Sequence, residues 1–445
     1  MTAPGGGCPG SAGPWLVWRP PSRAPREPIC PIERSARPIR SHLCFGRCVP
    51  LQDVYIVSAV RTAIGRLGGS LKDVPAQVLA ATVMEEAIRR SGVPKEEIDQ
   101  VILGQTRQMT EASNIARHAA LMVDVPVEVP AFTVHRQCAS GMQAILSGAR
   151  EIQVGAAEVV LAGGTENLSR SPYVLKNARY GYSMGDGVLV DSLTEAGPGA
   201  QPIEKWGRLP MGLTAEIVAE RYGVCREDQD AFALQSQEKA ARAIREGVFR
   251  EEIVPVQVRE GKATRSFEVD EHPRSTSMEK LAALPPVFKE GGTVTAGNSC
   301  GYNDGASAVV LVSGSKLRAA GAEPLARVRA AVAVGVAPDV MGIGPVPATH
   351  KALAAAGLSL SDIELVELNE AFAAQCLAVI RELGMDPSIV NVNGGAIALG
   401  HPIGATGAVL ITKLVHEMRR RGSKLGLATL CIGGGQGMAM VLERT

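Results

Sequence analysis

Apolar positions along the chain fall into two kinds of stretch, short continuous runs and longer segments with helical spacing, and the two alternate. The first ordered run opens at Asp53-Val54-Tyr55-Ile56-Val57. Ala80 to Ser91 has the spacing of a helix, Val101 to Leu103 reads as a short apolar strand, and Gly141 to Gln153 reads as another helix. Val159 to Ala162 forms a buried-type strand that ends in Gly163-Gly164. Strand–helix alternation of this kind predicts an α/β fold, here a parallel sheet under helical cover.

The pattern then repeats. Gly92 to Gln105 (GVPKEEIDQVILGQ) aligns without a gap to Gly357 to Glu370 (GLSLSDIELVELNE), at an offset of 265. Ser140-Gly141, opening a helix, is echoed by Thr406-Gly407, and the strand ending Gly163-Gly164 by one ending Gly433-Gly434. Gly305 to Leu311 likewise resembles Gly437 to Leu442. Echoes in the same order at a nearly constant offset predict a tandem duplication. Residues 169–290, richer in charge and proline and carrying a helix at Asp228 to Glu246, interrupt the first copy as an inserted lobe.

Residues 1–50 hold ten of the 28 prolines and seven arginines against two acids, Glu27 and Glu33. Such a segment supports neither helix nor ladder, so a disordered tail is expected. An Arg-rich, acid-poor leader also fits an organelle transit peptide, and a start codon placed too far upstream is the plainer alternative.

Composition narrows the class of protein. With 46 Lys+Arg against 45 Asp+Glu the formal charge is +1, which argues against a nucleic-acid partner held by a phosphate-neutralising surface. No uncharged apolar stretch approaches the roughly 18–20 residues that a membrane span needs. Nine cysteines, four of them within the first fifty residues and none in C-x-x-C spacing, suggest neither a disulfide scaffold nor a zinc or iron–sulfur site. A reducing compartment is the default, hence the cytoplasm, or the mitochondrial matrix if the leader is a transit peptide.

The candidate chemistry lies at strand ends. In Thr133 to Met142 (TVHRQCASGM) a strand runs out and small residues open a helix, with Cys138 at the junction. The positive end of the helix dipole is expected there to lower the thiol pKa and favour the attacking thiolate. A free cysteine is also a common core residue. At the matching point of the second copy, His401 stands ahead of a helix in a glycine-dense run, Gly394 to Gly407. Were the copies to pack about a pseudo-twofold axis, thiol and imidazole would face each other, and the imidazole would accept the thiol proton. Asn369 and Cys431 occupy further strand ends, where open α/β sheets bind ligands. Cys376 falls in register with Phe372, Ile380 and Leu383 and reads as core. The glycine runs complete neither a phosphate loop nor a dinucleotide fingerprint, and G-x-S-x-G is absent.

Taken together, TVHRQCASGMQAI, GGTEN, GTVTAGNSCGYNDGA, NEAF, GGAIALGHPIGATG and CIGGGQG resemble the thiolases over residues 52–445. VDEHPRS, LPPVF and MGIGPVPA look most like the acetyl-CoA acyltransferase (3-ketoacyl-CoA thiolase) branch. The resemblance implies a five-layered α-β-α-β-α fold from two βαβαβαββ halves, residues 52–168 plus 291–315 and residues 322–445, with residues 169–290 as a CoA-binding loop domain. It implies Cys138 as nucleophile, His401 as its activator, and Cys431 as the acid/base thiol. Asn369 would position an oxyanion-hole water, and the N–H groups of Cys138 and Gly433 would form a second hole. For coenzyme A it implies Arg274 near the adenine and phosphates, and Met211, Leu284, Phe288, Ala296 and Phe372 along the pantetheine channel. Cys300 replaces a serine that contacts that arm, which puts the contact in doubt, and His135 stands where asparagine is usual. No metal or organic cofactor is implied, since coenzyme A and acyl-CoA are substrates; a homodimer or homotetramer is the family habit. Ketoacyl-carrier-protein and hydroxymethylglutaryl-CoA-type synthases share the fold type but are disfavoured by the Cys431 block. A carrier or scaffold without turnover is opposed by the intact reactive set.

Overall fold

The computed structural model describes residues 51–320 and 323–445. The leader 1–50 with its four cysteines, and residue 322 at the expected start of the second half, lie outside the described residues.

Nine strands form the path of the main sheet: β1 (Val54–Thr62), β2 (Gln100–Gly104), β3 (Ala131–Val134), β4 (Val159–Asn167), β5 (Asn303–Ser313), β6 (Ala326–Gly335), β7 (Leu365–Leu368), β8 (Leu425–Ile432) and β9 (Gln436–Glu443). Their order is β7-β8-β9-β6-β1-β5-β4-β2-β3. Read outward from the β1–β6 junction, the first half runs β1-β5-β4-β2-β3 and the second β6-β9-β8-β7. Where the second half would have a fifth strand, Val390 bridges in parallel to Val366. The Asn391 side chain extends that pairing, its Oδ1 accepting from the Leu368 N–H (2.9 Å) and its Nδ2 donating to the Leu368 carbonyl (2.8 Å). The duplication expected from the repeats is therefore present in the sheet order.

The sheet is mixed, not parallel, which corrects the expectation from strand–helix alternation. β2 pairs in parallel with β3 and β4, and β7 with β8. β1–β5, β5–β4, β6–β9 and β8–β9 are antiparallel. Each half ends with a strand that turns back on its predecessor and pairs with it antiparallel. In the second half the turn is the glycine loop Gly433 to Gly435; in the first it is the long excursion from Leu168 to Tyr302.

Among the described residues, eight helices have eight residues or more: α1 (Ala76–Ser91), α2 (Ile115–Met122), α3 (Ser140–Gln153), α4 (Met211–Arg221), α5 (Arg226–Arg245), α6 (Pro345–Ala356), α7 (Ala373–Leu383) and α8 (Ile403–Arg421). Strand side chains alternate between faces, so each strand serves two cores. Val159 and Leu161 pack with α1 and α2, whereas Val160 and Ala162 pack inward with Met142, Ile145, Ile411 and Leu414 of α3 and α8. From the other half, Ala428, Leu430, Met438 and Met440 join that central core, while Leu427, Ala439 and Val441 face α6 and α7. The result is five layers, α-β-α-β-α. The middle helix α8 is buried from Gly404 through Met418, as a helix with sheets on both sides must be.

Two glycines set the spacing of the middle layer. A Cβ on Gly141 would stand 2.8 Å from the Ala408 nitrogen, and one on Gly407 would stand 2.4 Å from the Met142 nitrogen. Helices α3 and α8 therefore cross in backbone contact near their N-termini, and the residues just ahead of each helix are drawn to one place.

The excursion carries α4 and α5 and is anchored to β1 by Arg61, which is fully buried. Its Nε donates to Glu252 Oε1 (2.7 Å) and its Nη1 to Asp270 Oδ1 (2.7 Å).

Candidate active site

Cys138 lies in the turn between β3 and α3, partly buried. Gln137, just before it, has φ of 45°, a left-handed conformation that costs a non-glycine residue of order 1 kcal/mol and persists only where the surroundings hold it. Ser140 does the holding: its hydroxyl donates to the Gln137 carbonyl (2.7 Å) and accepts the Arg136 N–H (2.9 Å). From the second half, the Gly433 backbone N–H favours the Cys138 thiolate. Burial nevertheless pushes the Cys138 thiol up, against the helix-dipole expectation of a lowered pKa. Loss of water around the thiolate outweighs the Gly433 and Cys138 N–H groups and the charge of Arg107. The sulfur is thus a thiol at rest and needs a base.

From the other half, His401 stands just ahead of α8 as Cys138 stands just ahead of α3. It follows Gly400, at φ of 108°, and its backbone N–H donates to Asn303 Oδ1 (2.9 Å). Nδ1 lies 2.7 Å from the Thr406 hydroxyl, which itself donates to the Pro402 carbonyl (2.9 Å). A hydroxyl has one proton, so Thr406 accepts from Nδ1–H, and Nε2 is left bare as the acceptor. Burial lowers the His401 pKa to about 4, so the ring is neutral at physiological pH. Thiol raised and imidazole lowered, both groups rest uncharged at physiological pH.

Glu166, at the end of β4, ties the two halves at this point. Its carboxylate accepts the Gly404 N–H at the start of α8 (2.8 Å) and the N–H groups of Thr106 (3.1 Å) and Arg107 (3.0 Å) beyond β2. A second tie crosses the seam from Arg136 Nη1 to Gln436 Oε1 (3.0 Å), linking the loops of Cys138 and Cys431.

Cys431, on β8, is fully buried among Phe372, Ala371, Met341, Val294 and Ala215, with Met211 against them. Burial, and the nearness of Cys138 and Cys300, push its thiol well up. Such a group is a proton donor at rest and a base only when a neighbouring proton is made acidic. Asn369 follows β7; it is fully buried, and neither its Oδ1 nor its Nδ2 has a hydrogen-bond partner among the described residues. Cys300 is held by its N–H, which donates to the Ala371 carbonyl (3.1 Å), and burial pushes its thiol up to about 12. Cys376 is core, as its register predicts.

The remaining candidates form two groups. Phe288 meets the Phe372 ring edge to face at 6.2 Å between centroids, and the Met211 sulfur is 3.3 Å from where a Cβ on Gly433 would be, so these three adjoin the thiols. Arg274, Ala296 and Leu284 gather farther along the excursion. Arg274 Nη2 donates to the Ala296 carbonyl (3.0 Å), and Leu284 packs 2.5 Å from where a Cβ on Gly297 would be. Arg274, Arg245 and Thr276 also line a cavity of about 510 Å³. Thr406, Asn303, Glu166 and Arg136 were not among the residues read from the sequence as functional. GGTEN and YNDGA drew notice as blocks, but nothing in their order says which second-half groups Glu166 and Asn303 would meet.

The thiolase N-terminal domain matches residues 54–315 and the thiolase C-terminal domain residues 322–444. Acetyl-CoA acetyltransferase of Pseudomonas aeruginosa is 51% identical over 396 residues, covering 88% of this chain and 100% of that protein. Mitochondrial 3-ketoacyl-CoA thiolase of Mus musculus is 47% identical over 397 residues, covering 89% and 99%. Among solved structures, the Bacillus anthracis acetyl-CoA acetyltransferase matches with a TM-score of 0.86 at 47% identity, covering 89% of this chain and 100% of that one. Human mitochondrial 3-ketoacyl-CoA thiolase in complex with CoA matches with a TM-score of 0.84 at 46% identity, covering 88% and 98%.

Proposed function

The chain belongs to the thiolase family, and on that footing we propose how its residues divide the work of a CoA-dependent C-acyltransferase. The enzyme cleaves 3-ketoacyl-CoA with CoA to acyl-CoA and acetyl-CoA, and runs the reverse Claisen condensation. One observation supports the assignment of roles: α3 and α8 cross in backbone contact near their N-termini, and Cys138 and His401, from opposite halves, each stand just ahead of one of these helices.

In cleavage, the Cys138 sulfur attacks the 3-keto carbon while its proton passes to His401 Nε2. The C2–C3 bond then breaks, and its electron pair leaves as the enolate of acetyl-CoA. Cys431, a thiol with a raised pKa, gives its proton to the enolate carbon and recovers one from the incoming CoA thiol. That CoA sulfur attacks the acyl–Cys138 thioester, and the freed Cys138 takes its proton back from His401, so a difficult exchange becomes two ping-pong halves. Charge on the oxygens is met by the N–H groups of Cys138 and Gly433 on one side, and by His401 with Asn369 on the other. The unsatisfied, fully buried Asn369 amide suits a group that engages a ligand or a bridging water. Fixed donors of this kind contribute about 3 kcal/mol each.

Residues 52–168 with 291–315, and residues 322–445, act as the catalytic halves, and residues 169–290 as the lobe that takes CoA. Met211, Phe288 and Phe372 wall the pantetheine arm beside the thiols, with Cys300 facing it in place of a hydroxyl. Ala296 and Leu284 continue the wall, and Arg274 at the 510 Å³ cavity meets the nucleotide end. Coenzyme A and acyl-CoA are substrates, and no further cofactor takes part. The working form is a homodimer or homotetramer, supported by the unpaired edge of β3 with Phe132 exposed. Among the described residues no helix is long and apolar enough to cross a membrane. The cytoplasm is the assigned compartment, and a fusion of residues 1–50 to a fluorescent protein tests the mitochondrial alternative.

Steady-state thiolysis across 3-ketoacyl-CoA substrates of increasing chain length tests the reading. Turnover with acetoacetyl-CoA and at least one longer substrate is expected; no CoA-dependent cleavage of any would overturn it.

A further inference from the structure

Asn303 stands at the start of β5, fully buried, three residues after Cys300. Its side chain is spent on two bonds that reach in opposite directions. Oδ1 accepts the backbone N–H of His401 (2.9 Å), and Nδ2 donates to the carbonyl of Gly65 (2.9 Å). The carboxamide also lies flat against Gly400: a Cβ there would stand 2.5 to 2.7 Å from its carbon, nitrogen and oxygen. Gly400 adopts a φ of 108°, which L side chains rarely take, so the approach and the backbone turn both depend on glycine. Tyr302, next in the chain, bridges in parallel to His401. Thr406 fixes the ring of His401 from its own helix, but Asn303 belongs to the other half of the duplication. It grips the main chain from which that ring projects.

We infer that Asn303 is a positioning residue for acyl transfer, setting the backbone of His401 so that Nε2 meets the Cys138 sulfur across the seam between the halves. The inference rests on the reading of His401 as the base. The backbone of β5, paired with β1 and β4, holds Asn303 in the first half, and the bond to His401 passes that registration to the second. A shift of about 1 Å in such an alignment is enough to slow a reaction about 100-fold.

The test uses the full-length enzyme and two readouts: the rate at which acetyl-CoA acylates Cys138, and the pH profile of Cys138 alkylation by iodoacetamide. With a base in place, alkylation proceeds at neutral pH; without one it must wait for free thiolate at higher pH. Asn303→Leu keeps the size and removes the acceptor, and Gly400→Ala pushes the carboxamide aside. Both are expected to slow acylation about 100-fold and to move the alkylation profile to higher pH, as His401→Ala does. Asn303→Asp keeps the acceptor for His401 and loses the donor to Gly65. It is expected to hold acylation within about tenfold of wild type and to leave the profile in place, a rescue that a merely structural role would not give. Should Asn303→Leu fail to fold, the Gly400→Ala and Asn303→Asp arms still decide. A wild-type profile in folded Asn303→Leu or Gly400→Ala overturns the inference, as does an Asn303→Asp enzyme with the displaced profile. If His401→Ala itself leaves the profile unmoved, the reading of His401 fails instead.

Discussion

The reactivity of Cys138 comes from what surrounds it, because its own position does not make it acidic. Burial raises its pKa despite the N–H groups and the Arg107 charge that oppose the rise, and burial holds His401 neutral down to about pH 4. Between pH 4 and the ordinary histidine value near 6.5, the unfolded chain binds a proton at this residue and the folded chain does not. His401 therefore contributes stability at neutral pH that is lost as pH falls through that window. For catalysis, the acid limb of kcat/KM for free enzyme should fall near pH 4; a limb at about 6.5 would mean that His401 is not the titrating base. Cys138→Ala should reduce thiolysis of acetoacetyl-CoA by about 10⁴-fold or more, measured by loss of substrate absorbance. Cys431→Ser should spare acylation of Cys138 more than overall turnover, and equal loss of both would contradict its separate role. The residue types and their loops were legible in the sequence, since each reactive group ends a strand in a glycine-rich block. The direction of the Cys138 shift was not, because desolvation depends on the second half closing over the first.

Among the elements, the crossing of α3 and α8 is the feature that most constrains the site. Gly407→Ala would place a methyl carbon 2.4 Å from the Met142 nitrogen, with sheets on both sides and no direction in which to yield. The substitution should cost about 2–4 kcal/mol of unfolding free energy and slow catalysis as well. Urea unfolding with an unchanged midpoint would refute the close crossing. Helix and strand positions were readable from periodicity: Gly141 to Gln153 was expected and Ser140–Gln153 is found, and the strand expected at Val101 to Leu103 is found as Gln100–Gly104. Strand direction was not readable, because periodicity is the same for a strand that continues a sheet and one that turns back. β5 and β9 are the strands that made the difference. Val159 to Ala162 was also read short, since Gly163, Gly164 and the polar run to Asn167 conceal a strand buried on both faces. Glycine is admitted there because Ser307 and Gly404 approach so closely that a Cβ on Gly163 or Gly164 would stand 2.2 Å from their carbonyl oxygens.

For the whole molecule, the repeat offset of 265 residues becomes a palindromic strand order, and the proposed active site lies where the two copies meet. The same architecture leaves β3 at the edge of the sheet with Phe132 exposed, and it extends a hairpin, Tyr173–Leu175 with Leu189–Asp191, whose Tyr173, Val188 and Leu189 are exposed. Unpaired edges and apolar surface of this kind invite a second copy. Phe132→Asp should lower the mass measured by light scattering, and an unchanged mass would place the interface elsewhere. The convergence of the two halves is the claim on which the chemistry depends, and the most direct measurement is to trap the acyl-enzyme. Acetyl-CoA carrying a labelled acetyl group is mixed with wild-type and His401→Ala enzyme, quenched in acid, and the labelled peptide identified by mass spectrometry. The account predicts one acetyl group on Cys138, released as CoA is added, and formed far more slowly without His401. Label on Cys300 or Cys431, or acylation of Cys138 at an unchanged rate in His401→Ala, would contradict it.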